Sequence, residues 1–355
     1  MPNKIDALFK EMVDLGASDL HLAEGQPPKV RIHGDMTPIR DTPMDHQEIE
    51  ELLSEASGPD RWKIFDERND FDWAYEMNED TRFRCNYLKQ LNGYGAVFRV
   101  IPTKIPSVED LGLPIVIKDF GKIKSGLVLV TGPTGSGKST TLAALIDFIN
   151  VNYSKHIVTV EEPIEFVHGN KMSVITQREV PVDTPSFAMG LKASLREDSD
   201  VVLVGELRDL ETISLALTAA ETGLLVYATL HTNNAQKTVD RIIDVFPADQ
   251  QPQIRTMLAG SLRGVVAQLL FKRADGKGRL AVNEILICNS ASAAIIREGK
   301  TAKLFDVLVG GKGVGMQLMD DAIMQLLNQG LISPHEAYMK SIDKQRFTSY
   351  LAEGE

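Results

Sequence analysis

Nine residues from Gly132 to Thr140 read GPTGSGKST and fit the pattern G-x-x-x-x-G-K-[ST]. Glycines at 132, 135 and 137 let backbone N–H groups turn inward and cradle phosphate oxygens at a helix N-terminus. Lys138 brings a positive charge to the β- and γ-phosphates of a nucleoside triphosphate, and the Ser139 hydroxyl suits Mg²⁺. Thr134, Ser136 and Thr140 complete the expected nucleotide-binding set. The pattern is informative only between a strand and a helix. Here it follows the apolar run GLVLV and opens the helical run STTLAALIDFI. The chemistry this context predicts is phosphoryl transfer.

Acids and a histidine end the other apolar runs. TVEEPIEF, residues 159–166, sets Glu161, Glu162 and Glu165 around Pro163. Soluble proteins bury carboxylates reluctantly, yet HIVTV before them reads as a short buried strand. DVVLVGELRD, 200–209, carries Glu206 at the end of another strand, where a carboxylate would sit near Mg²⁺ or its waters. LLVYATLHTNNA ends a third at His231. Taken singly, Glu206 also reads as a solvated strand end and His231 as a structural histidine. Beside a phosphate loop they gain a common meaning, because doubly wound sheets bind ligands beyond the carboxyl ends of their strands.

The elements that must position these residues show as a change of pattern along the chain. GLVLVTG, HIVTV, DVVLVGE and LLVYATLH alternate with helical stretches. That alternation implies a doubly wound α/β domain around a buried, largely parallel sheet. Upstream, Ile5, Leu8, Phe9 and Met12 recur at helical spacing with Gly16 placed as the cap. KVRIHG reads as a strand entering a turn, and DHQEIEELLSEAS as a helix with Asp45 as N-cap. FDWAYEM, TRFRCNYLKQ and YGAVFRVI follow as three strands, with NED and NG between them as hairpin turns. Alternation along a strand puts Arg82 and Arg84 on one face, and Arg99 lies on the next strand. Pro102, Pro106 and Pro114 punctuate a linker. From about 290 the pattern is helical, with MQLMDDAIMQLLNQG closed by Gly330. The expected division is an α+β domain over 1–101, a linker over 102–118, an α/β core over 119–289 and a helical region over 290–355.

Composition narrows the function. A length of 355 residues favours two domains, and 43% hydrophobic with 25% charged residues is ordinary for a soluble globular protein. Cys85 and Cys288 stand far apart without a CxxC, which excludes a cysteine zinc cluster, argues against a disulfide framework and fits a reducing cytosol. The start, MPNKIDALFKEM, shows no signal peptide, and GLVLV falls far short of the roughly 20 apolar residues of a membrane helix. A membrane role is therefore expected to be peripheral. The net charge of −11 repels a polyanion, and no basic run offsets it, so no nucleic-acid partner is expected.

With these residues in view, the chain resembles the type II/IV secretion ATPases. The resemblance rests on GPTGSGKSTTLAALID, VEEPIEFVH, TQREV, ASLREDSDVVLVGELRDLETISLALTAAETG and TLHTNNA, and runs from about residue 5 to 345. Among these proteins it is most similar to the PilT-type pilus retraction motors. The resemblance implies a PAS-like first domain and a RecA-like P-loop NTPase core, assembled as a homo-hexameric ring with ATP at the domain junction. It implies a cytoplasmic motor, peripheral at the inner membrane, that works with a pilus platform protein to retract pili in twitching motility. It assigns the catalytic base to the last glutamate of the acidic box, here Glu165. Glu162 stands where the family usually has aspartate. His231 falls in the family's histidine box as a γ-phosphate sensor or coupling residue. Arg82, Arg84 and Arg99 are implied in stabilising phosphate charge, against the alternative of a solvated basic face. IIREGKT, 295–301, resembles a motif tied to retraction, with Ile295 in place of alanine.

An accessory, PilU-like retraction ATPase is the nearest alternative reading. An assembly-type motor would carry an added N-terminal domain and a four-cysteine zinc site, neither of which is seen. A nucleic-acid translocase shares the P-loop core but not the acidic charge.

Overall fold

The computed structural model describes residues 3–32, 35–78, 81–101 and 104–352. The expected turns at His33-Gly34 and Glu79-Asp80, and Pro102, lie outside the described residues. Two compact units divide the chain. The first comprises 1–104 with two short later stretches, Glu162–Val167 and Glu179–Asp183; the second holds the remainder.

The first unit has helices α1 (Asp6–Asp14) and α2 (His46–Arg68) and strands β1 (Asp19–Ala23), β2 (Lys29–Ile32), β3 (Asp35–Pro38), β4 (Asp70–Asn78), β5 (Thr81–Gln90) and β6 (Gly93–Ile101). The strands form one sheet in the order β3-β2-β1-β6-β5-β4, with every neighbour antiparallel. Leu20, Phe98, Cys85 and Trp73 point to one face and join Phe9, Met12, Leu53 and Phe65 of the two helices in a single core. Each large apolar side chain buried there is worth about 1.5–3 kcal/mol. The opposite face carries the polar alternates. Asp45 caps α2 by accepting the Glu48 N–H at 2.8 Å, as its sequence position predicts. The helix is longer than its sequence pattern indicates. It continues to Arg68 across a kink at Gly58 (φ 71°, ψ 170°), because Pro59 suits a first helical turn.

The second unit starts with a short helix α3 (Ile117–Phe120), then β7 (Gly126–Thr131), α4 (Lys138–Asn152), β8 (His156–Glu161) and β9 (Val174–Glu179). There follow α5 (Phe187–Ser194), β10 (Val201–Val204), α6 (Leu210–Glu221), β11 (Leu225–Leu230), α7 (Ala235–Asp244) and α8 (Gln251–Ser261). The sheet closes with β12 (Leu262–Lys272) and β13 (Arg279–Ile287), in the order β13-β12-β7-β11-β10-β8-β9. β12, β7, β11, β10 and β8 run parallel, and β13 is antiparallel at one edge. β7, β10 and β11 are buried along their whole length, which is why they read as unbroken apolar runs. Val108, Leu113 and Ile117, from the proline-punctuated stretch, pack into the same core as Val128, Leu145 and Ile285.

Helices α9 (Ser290–Arg297), α10 (Leu304–Gly310), α11 (Met319–Asn328), α12 (Pro334–Lys340) and α13 (Thr348–Ala352) complete the chain. α11 begins later than its apolar spacing indicates. Gln317 pairs with Ile285 as a β-bridge instead, and Met316 precedes it outside the helix.

Candidate active site

In the second unit the parallel strands bring their carboxyl ends to one side in matched register. Thr131 of β7 pairs with Leu230 of β11, Ala228 of β11 with Val204 of β10, and Val204 with Val160 of β8. The residues just past those ends are the ones singled out by type: the phosphate loop, His231, Gly205-Glu206 and Glu161. Chain-end hydrogen bonds continue the ladder, from the Gly132 N–H to Leu230 O at 3.1 Å and from the Leu207 N–H to Thr229 O at 3.0 Å.

The loop is shaped by close backbone approach. Gly132 has φ 149°, and a Cβ there would lie 2.2 Å from the Gln268 carbonyl oxygen and 2.5 Å from Ser136 Oγ. Gly137 takes φ 85° and serves as the N-cap of α4 without a side-chain cap. The first amides of α4 therefore remain available to an anion, which the helix end favours electrostatically. Lys138 Nζ donates to the carbonyls of Gly132 (2.8 Å) and Pro133 (3.1 Å), so its charge lies over the loop. A phosphate oxygen is a stronger partner than a neutral carbonyl. Ser139, Thr134 and Gly135 are exposed, and Ser136 is buried. Thr140, on the first turn of α4, is half-buried.

Gln268 escapes the sequence reading. It is a buried amide inside the apolar run VVAQLLF of β12, and its Nε2 donates to Ser136 O at 2.7 Å. Its Oε1 accepts from Thr141 Oγ1 at 2.8 Å and from Asn283 Nδ2 at 3.0 Å. One side chain thereby ties the loop to the first turn of α4. The available signal was a glutamine in an otherwise apolar strand, where a buried polar group requires partners.

Glu206 and His231 are brought together, with Oε1 and Nε2 3.2 Å apart. The other carboxylate oxygen of Glu206 accepts from Arg208 Nε at 2.8 Å. Glu161 stays at its strand end, where Oε1 accepts from Thr159 Oγ1 (2.7 Å) and Gln177 Nε2 (3.3 Å). The chain passes into the first unit at Glu162, through a cis bond to Pro163.

Glu165 thus belongs to the first unit, where Arg84 Nη1 lies 3.4 Å from its Oε1. Arg84 Nε also lies 3.6 Å from Asp72 Oδ1. The three arginines share a face: Arg84 stands opposite Arg99 in the β5–β6 register, and Arg82 follows two residues before Arg84. Their partners differ. Arg82 Nη1 pairs with Glu76 at 2.9 Å, and Arg99 Nε with the buried Asp19 at 2.7 Å. In the IIREGKT stretch Ile296 is buried, whereas Arg297 and Glu298 are exposed at the end of α9.

A parallel sheet with a glycine-built phosphate loop on a central strand, and polar residues massed past the neighbouring strand ends, defines a P-loop ATPase. Residues 1–285 match the family described as type II/IV secretion system protein. Over 332 residues the chain is 47% identical to the type IV pilus retractation ATPase PilT of Pseudomonas aeruginosa, covering 94% of this chain and 96% of that one. It is 49% identical over 310 residues to a twitching motility protein of Neisseria gonorrhoeae, covering 87% and 83% respectively. The crystal structure of the pilus retraction motor PilT with bound ADP superposes at a TM-score of 0.88 and 43% identity, over 97% of this chain and 98% of that one. The chain belongs to the type II/IV secretion ATPase family.

Proposed function

We propose that this chain is the subunit of a homo-hexameric ring that hydrolyses ATP to retract a type IV pilus, working from the cytoplasmic side of the inner membrane. What carries the reading is likeness over most of each chain to the retraction ATPase and the twitching motility protein, on a fold whose phosphate loop is complete. Lys138 and backbone N–H groups of the loop between Thr134 and Thr140 hold the phosphates. Glu165 is the base that activates water, His231 reads the γ-phosphate, and Arg82, Arg84 and Arg99 offset the transferring charge.

Among the described residues no group of three or more His, Cys, Asp or Glu could hold a metal. Mg²⁺ leans on substrate phosphates and waters, so the Ser139 hydroxyl, with Glu206 through water, fits it. The ion, when bound, neutralises phosphate charge. No described helix is long and apolar enough to cross a membrane. A platform protein in the inner membrane supplies the membrane position on this reading, and the exposed Arg297 and Glu298 are candidates for passing motion outward. The net charge of −11 leaves nucleic acid out.

The test is deletion of the gene followed by complementation. Cells without the chain should carry excess surface pili and fail to twitch. The wild-type chain should restore twitching, and the Lys138→Ala chain, which should not hydrolyse ATP, should not. Loss of pili on deletion would make the chain an assembly motor. Restoration that needs a second retraction ATPase would make it the accessory one.

A further inference from the structure

One buried acid of the second unit has no part in the chemistry above. Glu284, 4% exposed, lies on β13 opposite Ala267 of β12, which in turn lies opposite Thr131 of β7 at the root of the phosphate loop. A buried carboxylate is costly unless it is well partnered. Among the described residues it pairs with no side-chain cation. Oε1 accepts the Ala235 N–H at 2.8 Å, and the Met319 N–H lies close enough to draw the carboxylate toward its charged form. Burial pushes its carboxyl above the usual range, and these two amides pull the other way.

The two amides open two different helices. Ala235 is the first residue of α7 and Met319 the first of α11. Helix N-termini offer unsatisfied N–H groups and a positive dipole end, so one carboxylate here serves both. α11 receives no cap from its own N-cap side chain, that of Leu318. Glu284 faces that end from another strand, across the cavity both residues line.

Each helix leads somewhere. α7 starts four residues after His231, and the intervening loop is hydrogen-bonded to the helix. Asn234 Oδ1 accepts the Lys237 N–H at 2.8 Å, and Thr232 Oγ1 lies 2.7 Å from Thr238 Oγ1. Displacing the first turn of α7 therefore displaces His231. On the other side Asp320, next to Met319, accepts the N–H groups of Ile342 (2.8 Å) and Asp343 (2.7 Å). A shift of α11 thereby reaches the last helices. A cavity of about 270 Å³ lined by Asn234, Glu284, Leu304, Leu308, Met319 and Asp320 adjoins the joint. The first turn of α7 has room to move there without breaking a close-packed core.

We propose that Glu284 is the positioning residue that fixes the His231 loop and couples its movement to the C-terminal helices. The inference rests on the reading of His231 as the residue that senses phosphate.

The test uses the full chain and Glu284→Gln, which keeps the shape but has only one acceptor atom for two amides. Steady-state ATPase kinetics are compared for wild type, Glu284→Gln, His231→Ala and the double variant. Glu284→Gln should lower kcat about tenfold and leave KM within about twofold, and the double variant should be no slower than His231→Ala alone. Unchanged kcat, or losses that multiply, would reduce Glu284 to a structural acid. The second arm is hydrogen exchange with ADP and with a non-hydrolysable ATP analogue. In wild type, residues 235–238 and 319–323 should change protection together; in Glu284→Gln, only the former should. If His231→Ala has no kinetic effect, the sensor reading fails and the exchange arm alone decides the coupling. If Glu284→Gln does not fold, the wild-type measurement still decides, since a response of α7 without one of α11 overturns the proposal.

Discussion

Glu206 Oε1 lies 3.2 Å from His231 Nε2, joining the ends of two adjacent parallel strands. Both side chains keep solvent contact, and a pair of this kind contributes about 0–1 kcal/mol to stability. Its removal should therefore register in turnover. Glu206→Gln is expected to lower kcat by about 10²-fold or more, as loss of one preorganised electrostatic group does. The melting temperature should move by no more than about 2 °C. Phosphate release and thermal melting on one preparation check both; a large drop in melting temperature would make the pair structural.

The acidic box separates its members by surroundings. Glu161 is held by Thr159 and Gln177, whereas Glu165 meets Arg84 in the first unit. Glu165→Gln should cut kcat by about 10²–10⁴-fold, the range for loss of a general base, while ATP still binds. Glu162→Gln should stay within a few-fold of wild type. Filter binding together with single-turnover hydrolysis tests this, and the reverse ranking would transfer the base to Glu162.

The three arginines that share a sheet face should divide by what each also holds in place. Arg99 pairs with Asp19, a carboxylate that is 4% exposed. Arg99→Ala should thus cost about 1–3 kcal/mol of stability, the penalty of a buried polar group stripped of a partner. All three substitutions should lower kcat, Arg82→Ala and Arg84→Ala without that stability cost and by more than they weaken ring assembly. Denaturant titration and sedimentation, beside kinetics, separate the two effects. Unchanged kcat for both in an intact ring returns those arginines to a solvated basic face.

Acid should loosen the protein through His168. Burial lowers its pKa to about 4, from an ordinary 6.5. The folded state thus favours the neutral ring, and the unfolded state binds the extra proton between those two values. The contribution is fully present above about pH 6.5 and lost as pH falls toward about 4, on the order of 3 kcal/mol in all. His168→Phe should lack that component. The difference in unfolding free energy between the two chains should vary over this window and be flat above it; parallel curves would assign the acid sensitivity elsewhere.

The phosphate loop, the strands that end in Glu206 and His231, and the shared face of Arg82 and Arg84 were legible because each signal is local. A glycine pattern, an unbroken apolar run and an alternation of two are written in consecutive residues. Gln268 and Glu284 were not legible as site residues. Their meaning depends on Ser136, Thr141, Ala235 and Met319, partners that are brought near only by the finished sheet. β3 gave no signal either, since all four of its residues are exposed and nothing in them alternates. At α2 the local cue pointed the other way, because Gly58-Pro59 reads as a stop although the backbone resumes the helix after one non-helical residue.

The place of β7 in the sheet also bears on how the protein is made. One of its edges is covered by β11, the other only by β12, and the buried amide that braces the phosphate loop comes from β12 as well. During synthesis the loop emerges long before that strand does. A nascent chain that stops short of residue 268 carries the whole glycine-lysine signature, yet has neither the second edge nor the brace. Contacts so distant in sequence form late and slowly. Grip on a nucleotide is therefore expected only once about three-quarters of the polypeptide has been made.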